Sequence, residues 1–392
     1  MVVAALLVAV LVQGTQPRLT PGRPGVTRTP PASFTAATFD PLVLDGIRRG
    51  AYPGAALVVG RRDTVLFAKG YGRLTWSPRS AAVDPDSTLW DLASLTKVIA
   101  TTTALMLLVE RGRVDLDAPV RRYLPEFATA DVTVRHLLTH TSGLRGTLPL
   151  YRDARDSTEA LRMVLTEAPL APPGTRMVYS DLNAILLGEI VRRAGWGGPL
   201  DAFATREIFV PLGMRQTVFR PSRQLVRRIA PTGVWRGAPV AGTVNDANAA
   251  KLGGVAGHAG LFASARDVAR FAQFMLGEGA LPGGPRLLRP ETVRAFTAVA
   301  VKARRGASAR TLGWEAVPTG EDISSAGTQL GPRTYGHTGW TGTSLWIDPD
   351  RGVFVLLLTN RAFAPRARRS FTVLKDVRGR VADAAARAAD GR

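Results

Sequence analysis

The sequence predicts an α/β protein of the α+β type, in which one antiparallel sheet is flanked by terminal helices and carries an all-helical insert. Strand-like apolar runs occur near both ends, at residues 55–59 and 64–68 and again at 353–358. Between them, the patterns from about residue 91 to 213 are almost all helical. Runs at both ends bury their apolar faces most simply in one shared sheet, which places the helical region between its two halves.

The chain divides into a short leading segment and one domain. Residues 2–12 form an apolar run typical of a secretory signal, although basic residues are lacking before it and it is too short to span a bilayer. Residues 16–33 are rich in Pro and Arg, as in an extended linker. We therefore expect an exported protein, periplasmic or extracellular. The predicted parts are a signal-like segment and linker at 1–33 and a domain at 34–392, with a sheet lobe at about 34–90 and 265–392 and a helical lobe at about 91–264.

The individual elements follow from local periodicity. A short helix at about 39–49 precedes a β-hairpin whose polar turn is residues 60–63. Further helices are predicted at 133–140, 157–167, 182–194, 200–209, 264–275 and 371–389. Further strands are predicted at 311–316, 335–337, 343–347 and 353–358. Residues 231–260 show no periodicity.

Composition excludes several classes of function. The chain has 392 residues, 45% of them hydrophobic, which is enough for one large core or two moderate ones. The net charge of +20 comes from scattered Arg pairs without interleaved aromatic residues. This favours an Arg-rich solvated surface over nucleic-acid binding, and leaves open peripheral contact with an anionic envelope surface. There is no Cys, which excludes a thiolate nucleophile or metal ligand.

The most informative stretch begins at Ser94 and continues into an apolar run without Gly or Pro as far as Arg111. Helical spacing of the apolar residues predicts that Ser94 lies in the first turn of a largely buried helix. Lys97 lies one turn later on the same face, so its amine can reach the Ser94 hydroxyl. The helix N-terminus adds free N–H groups and partial positive charge. These are a nucleophile, a candidate base and an anion site, with a plain helix cap at Ser94 as the alternative.

Two later stretches can supply the proton transfer and substrate contacts that an acyl-transferring serine needs. Tyr179 and Asp181 lie between a Pro/Gly loop and the helix predicted from residue 182. The run from His337 to Trp340 lies on a predicted strand, where a glycine permits close approach of the backbone. A packed aromatic at the helix start and a half-buried strand histidine are the alternatives for these two stretches.

Taken together, these motifs resemble those of the serine β-lactamase and penicillin-binding protein superfamily, in its class C and DD-peptidase branch. The motifs are Ser94-x-x-Lys97, then Tyr179-x-Asp181, then His337-Thr338-Gly339. The similarity extends to residues 136–144, 178–183, 253–262 and 357–361, and covers about residues 35–365. The resemblance implies the β-lactamase-like fold and a serine hydrolase.

The resemblance also implies roles for the reacting groups. Ser94 would attack an acyl carbonyl, and water would hydrolyse the resulting acyl-enzyme. The N–H groups of Ser94 and Trp340 would form the oxyanion hole, while Lys97 and Tyr179 would share the proton transfer. If Lys97 is the base near neutral pH, its pKa must fall by roughly three units, and we expect burial and the helix N-terminus to lower it. If Lys97 stays charged, Tyr179 is the base; the sequence leaves both open.

The candidate substrate-binding residues depart from the family pattern at two positions. Asp181 stands where the family usually has Asn, so an amide donor becomes a carboxylate. This weakens recognition of a substrate carbonyl, unless Asn183 substitutes or Asp181 pairs with Lys97. His337 replaces the Lys of most β-lactamases, which removes a fixed cation above about pH 6.5. Thr338 and Gly339 keep the pattern. Asn360, after the last predicted strand, is a further candidate for binding a substrate carboxylate.

These observations predict an exported serine hydrolase similar to D-alanyl-D-alanine carboxypeptidases, acting on peptidoglycan-type peptides. The alternatives are an esterase or weak β-lactamase of the same fold, or an inactive relative that binds peptidoglycan. We expect no cofactor. We also expect no metal site, because His136 and His140 have a spacing that can bind a metal but lack a third ligand. We expect a monomer whose partner is a small-molecule or peptide substrate and not nucleic acid.

Overall fold

The architecture of the chain is given by a computed structural model, which describes residues 33–281, 284–304, 308–319, 324–363 and 367–391. The strands are β1 (Gly54–Arg61), β2 (Val65–Gly72), β3 (Leu89–Asp91), β4 (Val218–Phe219), β5 (Gly233–Trp235), β6 (Ala238–Val240), β7 (Leu261–Ser264), β8 (Ala309–Arg310), β9 (Glu315–Ala316), β10 (Tyr335–Thr338), β11 (Ser344–Asp348) and β12 (Val353–Thr359). The α-helices are α1 (Ala36–Arg48), α2 (Thr103–Glu110), α3 (Val134–Leu138), α4 (Leu150–Asp153), α5 (Ser157–Leu165), α6 (Asp181–Ala194), α7 (Leu200–Ala204), α8 (Ala247–Lys251), α9 (Ala265–Leu276), α10 (Pro290–Thr297) and α11 (Ala367–Ala389). Turns of π-helix span Lys97–Thr102 and Thr205–Phe209, and turns of 3₁₀-helix span Val120–Arg122, Arg223–Arg228 and Arg361–Phe363.

The main sheet has seven strands in the order β2-β1-β12-β11-β10-β9-β8, and every neighbouring pair is antiparallel. The N-terminal hairpin joins the C-terminal strands where β1 pairs with β12. Every residue of β12 is buried, as expected for a strand covered on both faces. The predicted single antiparallel sheet, built from the two ends of the chain, is confirmed.

Different helices cover the two faces of this sheet. Helices α1 and α11 pack together on one face, where Phe39 and Val377 belong to the same apolar cluster as Leu57 of β1. Helix α9 packs against the other face, where Phe271 and Val58 join a larger cluster that continues into the helical region. Alternate residues of β1 therefore enter two separate cores, which is the period-2 pattern of a strand.

Two smaller sheets were not predicted. One has three antiparallel strands in the order β3-β7-β4, and the other is the pair β5-β6. Their strands are two to four residues long. Segments this short hold too few residues to show an alternation of apolar and polar positions, so sequence periodicity misses them.

The predicted signal-like segment and nearly all of the linker lie outside the described residues. In the part of the chain that the structure describes, no helix combines the length and apolar character needed to cross a bilayer.

Candidate active site

Ser94 lies on a tight turn after strand β3. The preceding residue, Ala93, has a left-handed backbone with φ of 47°, which an L-residue adopts when its surroundings hold it there. The Asp91 carboxylate accepts the N–H of Ala93 at 2.9 Å and that of Asn245 at 2.7 Å. Burial raises the pKa of Asp91 to about 6. The predicted helix exists: helical residues begin at Leu95, the π-turn Lys97–Thr102 follows, and Ser94 lies at the helix start, where its carbonyl accepts the N–H of Lys97 at 3.0 Å.

The structure brings three of the predicted reacting groups together. Lys97 Nζ lies 3.0 Å from Ser94 Oγ, and the Tyr179 hydroxyl lies 2.9 Å from the same oxygen. Lys97 Nζ is also 5.0 Å from the centre of the Tyr179 ring. The Ser94 hydroxyl therefore has two neighbours that can exchange a proton with it, which is the arrangement of an activated nucleophile.

The pKa of Lys97 is raised, although burial acts to lower it. Its side chain is 3% exposed, and its ammonium donates to Asp181 Oδ1 at 2.7 Å and to the carbonyl of His258 at 3.2 Å. Burial lowers the pKa of Lys97, but the charge of Asp181, assisted by Tyr179, outweighs it and raises the pKa to about 12. Burial acts in the opposite direction on Asp181, whose pKa is nevertheless lowered by the charge of Lys97. Lys97 is therefore an ammonium at neutral pH, which is the second of the two possibilities that the sequence leaves open.

The loop after strand β10 is fastened to the turn that carries Ser94. Thr341 Oγ1 donates to the carbonyl of Asp91 at 2.7 Å, and Thr343 Oγ1 donates to the carbonyl of Leu92 at 2.9 Å. A Cβ on Gly339 would lie 2.6 Å from the Leu92 oxygen, so the close approach predicted for this glycine is confirmed.

Two backbone donors remain unused beside this contact. Within the described residues, the N–H groups of Ser94 and Trp340 make no hydrogen bond, and both residues border the same cleft. Two free backbone N–H groups at a nucleophile are what an oxyanion hole requires.

His337 is buried and neutral. Its ring packs 5.8 Å from the ring of Tyr179, and Nδ1 lies 2.8 Å from the carbonyl of Thr338, so Nδ1 carries the hydrogen. Burial, followed by the positive charges of Arg310 and Lys97, lowers the pKa of His337 to about 3. The histidine therefore supplies no positive charge near neutral pH. Its Nε2 is buried and has no hydrogen-bond partner in the described part of the chain.

The prediction for Asn360 is wrong. Its side chain is 1% exposed, and its Nδ2 donates to the carbonyls of Leu74 at 2.8 Å and Pro231 at 3.2 Å. These bonds place its amide in the interior, away from the cleft, where it ties the end of β12 to two loops. Asp181 is the partner of Lys97, which is one of the alternatives given for that residue.

Arg310 is a site residue that the sequence reasoning missed. It borders the cleft of about 390 Å³ that also contains Ser94, Tyr179, His337 and Thr338. Its residue is only 7% exposed, and its guanidinium carbon lies 5.4 Å from the centre of the Tyr179 ring. Nε and Nη1 are buried without a hydrogen-bond partner among the described residues. A buried guanidinium with unused donors is costly unless a ligand pairs with it.

A second cavity, of about 500 Å³, lies elsewhere and is lined by Tyr335 and by several charged residues. Its cations are already paired, Arg294 with Glu278 at 2.8 Å and Arg333 with Asp350 at 2.6 Å. The cleft at Ser94 is therefore the better candidate for chemistry. No group of His, Asp and Glu side chains within the described ranges is arranged to hold a metal ion.

A serine hydroxyl in contact with a lysine and a tyrosine, set beside strand β10 of an antiparallel sheet, defines a serine hydrolase. The model of the Beta-lactamase family matches residues 39–377, and the chain belongs to this family. A relative from Escherichia coli (strain K12), named "Putative D-alanyl-D-alanine carboxypeptidase", is 31% identical over 354 residues, which are 81% of this chain and 80% of the relative.

Solved structures agree on the fold. A penicillin-binding protein homologue from Caulobacter crescentus is 23% identical, with a TM-score of 0.72 over 92% of this chain and 99% of that one. A class C β-lactamase from Rhodobacter sphaeroides is also 23% identical, with a TM-score of 0.69 over 88% of this chain and 98% of that one. The predicted superfamily and fold class are confirmed.

The Lys97–Asp181 pair leads to a prediction about stability and pH. In the wild type, the pKa of Lys97 is raised from 10.5 to about 12, so its contribution to the free energy of unfolding is complete below about pH 10.5 and is lost as the pH rises towards 12. Asp181→Asn removes the opposing charge and leaves burial to lower the pKa of Lys97. We expect the variant to be less stable by about 3 kcal/mol at pH 7, with stability that rises between pH 7 and 10.

Urea unfolding at a series of pH values measures this difference. The matched control is Asp63→Asn, because the side chain of Asp63 is 85% exposed. A variant whose stability stays as flat between pH 7 and 10 as that of the wild type would show that Asp181 does not hold the charge on Lys97.

Proposed function

We propose that this serine hydrolase is a carboxypeptidase that removes the C-terminal residue from peptides ending in D-alanyl-D-alanine, as in peptidoglycan stems. The observation that carries the proposal is Arg310, a buried guanidinium with two unused donors in the cleft of Ser94. A C-terminal carboxylate is the ligand that matches such a fork of donors. The name of the Escherichia coli relative supports the same activity.

The proposed reaction begins with proton transfer from Ser94. Because Lys97 is held as an ammonium by Asp181, it cannot accept that proton. The base is then the Tyr179 oxygen, 2.9 Å away, once the phenol hydrogen that it donates to Ser94 has passed to solvent. Ser94 Oγ attacks the carbonyl of the penultimate residue, and the N–H groups of Ser94 and Trp340 stabilise the oxyanion. Tyr179 acts as the base only as a phenolate, and the ammonium of Lys97, 5.0 Å from the centre of its ring, is the cation that stabilises that charge.

The second half of the reaction returns the proton. Tyr179 gives it to the departing amine, the C–N bond breaks, and the acyl group remains on Ser94 as an ester. Water, deprotonated by Tyr179, then attacks this ester and releases the acid and the free serine. The peptide lies beside the end of strand β10, where the cleft is lined by Thr338, Gly339 and the neutral His337. Arg310 binds the carboxylate of the leaving residue.

Three substrates separate the proposal from its alternatives. We expect hydrolysis of an N-acylated D-alanyl-D-alanine peptide, measured as D-alanine release, to be faster than that of a p-nitrophenyl ester or a chromogenic β-lactam. Hydrolysis of the ester alone would show that the protein is an esterase and not a peptidase. Rapid turnover of the β-lactam would show that it is a β-lactamase. Peptidoglycan binding without turnover or covalent labelling would make it an inactive relative.

Arg310→Gln tests the carboxylate contact directly. Loss of the guanidinium is expected to lower the ratio of kcat/KM for the peptide to kcat/KM for the neutral ester by about a hundredfold, mainly through KM. Arg62→Gln is the control, since the side chain of Arg62 is 61% exposed. An unchanged ratio in Arg310→Gln would remove the argument for a carboxylate-bearing leaving group.

The proposed substrate lies in the bacterial envelope, and we place the protein there, exported through its apolar N-terminal run. The charge of +20 suits peripheral contact with anionic envelope polymers. N-terminal sequencing of the protein purified from its own host measures the processing that this placement requires.

A further inference from the structure

Glu315 lies directly opposite Arg310 in the main sheet. The two residues are cross-strand partners of β8 and β9, so their side chains emerge on the same face of the sheet. Both border the cleft that contains Ser94. Opposite charges so placed would be expected to pair, yet no ion pair joins them in the described part of the chain.

The carboxylate of Glu315 has spare capacity to accept hydrogen bonds. Among the described residues, it accepts a hydrogen bond from the Ser308 hydroxyl, which lies 2.7 Å from Oε1. The same hydroxyl also contacts the carbonyl of Thr319, and one hydrogen cannot serve both acceptors. Among the described residues, Glu315 makes no contact with a cation.

The cleft therefore presents a cation and an anion side by side, each short of a partner. Groups on directly opposed residues start from Cβ atoms about 5 Å apart, so one small ligand can reach both. The cleft has a volume of about 390 Å³, which leaves room for a leaving residue whose side chain is larger than the methyl group of alanine. The neutral His337 does not compete for Glu315, because it carries no charge near neutral pH.

We propose that, among peptides ending in D-alanyl-D-X, the enzyme cleaves those whose leaving residue X has a cationic side chain faster than D-alanyl-D-alanine itself. Arg310 binds the C-terminal carboxylate of X, and Glu315 binds the cationic group of its side chain. The preferred leaving residue is then a basic D-amino acid with a primary amine, such as D-lysine. This inference rests on the proposed carboxypeptidase activity and assigns Glu315 as a residue that determines specificity.

The test uses N-acylated D-alanyl-D-X peptides in which X is D-lysine, D-norleucine or D-alanine. Norleucine matches the length of lysine without its charge, so their comparison isolates the cation. We expect kcat/KM for D-lysine to exceed that for D-norleucine by about tenfold, mainly through KM. In Glu315→Gln, which can still accept the bond from Ser308, the ratio is expected to fall to within twofold of one.

Glu291→Gln is the control variant, because the side chain of Glu291 is 72% exposed, and it is expected to keep the wild-type ratio. Equal rates for D-lysine and D-norleucine in the wild type, or a preference that survives in Glu315→Gln, would overturn the inference while leaving the carboxypeptidase intact. Failure to cleave every peptide in the series, with the neutral ester still hydrolysed, would overturn the proposed function and this inference together.

Discussion

Ser94→Ala is expected to abolish covalent labelling by a fluorophosphonate or a fluorescent penicillin, and to lower kcat on every substrate by at least about 10⁴-fold. The Ser94 oxygen is the only candidate nucleophile that lies within 3.0 Å of both Lys97 and Tyr179 in the described structure. Without it, the oxyanion donors and Arg310 can still bind substrate, but no acyl-enzyme forms. Intact-mass spectrometry after exposure to the labels measures the result.

The variant should fold, because the left-handed residue of the turn is Ala93 and the anchoring carboxylate is Asp91. Ser87→Ala is the matched control, since Ser87 is exposed and lies outside the cleft. An acyl adduct of unchanged mass on the Ser94→Ala variant would place the nucleophile elsewhere and contradict the proposed reaction.

Helical periodicity was enough to predict the relation between Ser94 and Lys97. Residues three apart lie on one face of a helix, and the amine is 3.0 Å from the hydroxyl even though the helix contains a π-turn. The long apolar strands of the main sheet, such as β1 and β12, could also be predicted from local patterns. These features depend on residues that are close together in the sequence.

The features that the sequence did not reveal depend on contacts between distant segments. The charge of Lys97 is set by Asp181, 84 positions further along the chain, so the sign of its pKa shift cannot be derived from its own helix. Arg310 resembles many other arginines in an Arg-rich chain, and its burial results from how the short strands β8 and β9 extend the sheet. Asn360 was mistaken for a substrate contact because a strand end does not show whether a side chain faces the cleft or the interior.

Tyr179→Phe is expected to slow acylation by about 10³-fold, the usual range for loss of a general base. The phenol oxygen is the group beside Ser94 that can accept its proton, because Asp181 keeps Lys97 protonated. Stopped-flow measurement of acyl-enzyme formation isolates this step from deacylation. Tyr151→Phe is the control, since Tyr151 is 54% exposed.

The result for Tyr179→Phe also decides between the two bases that the sequence left open. If acylation in this variant stayed within about tenfold of the wild type, the proton would have to pass to Lys97, and its pairing with Asp181 would have to break during the reaction.

The double variant Tyr179→Phe, Asp181→Asn then provides the physical check. Removing the carboxylate lets burial lower the pKa of Lys97, so a neutral amine becomes available and part of the acylation rate should return as the pH rises. No such recovery is expected if the phenol is replaced while Asp181 still holds the ammonium.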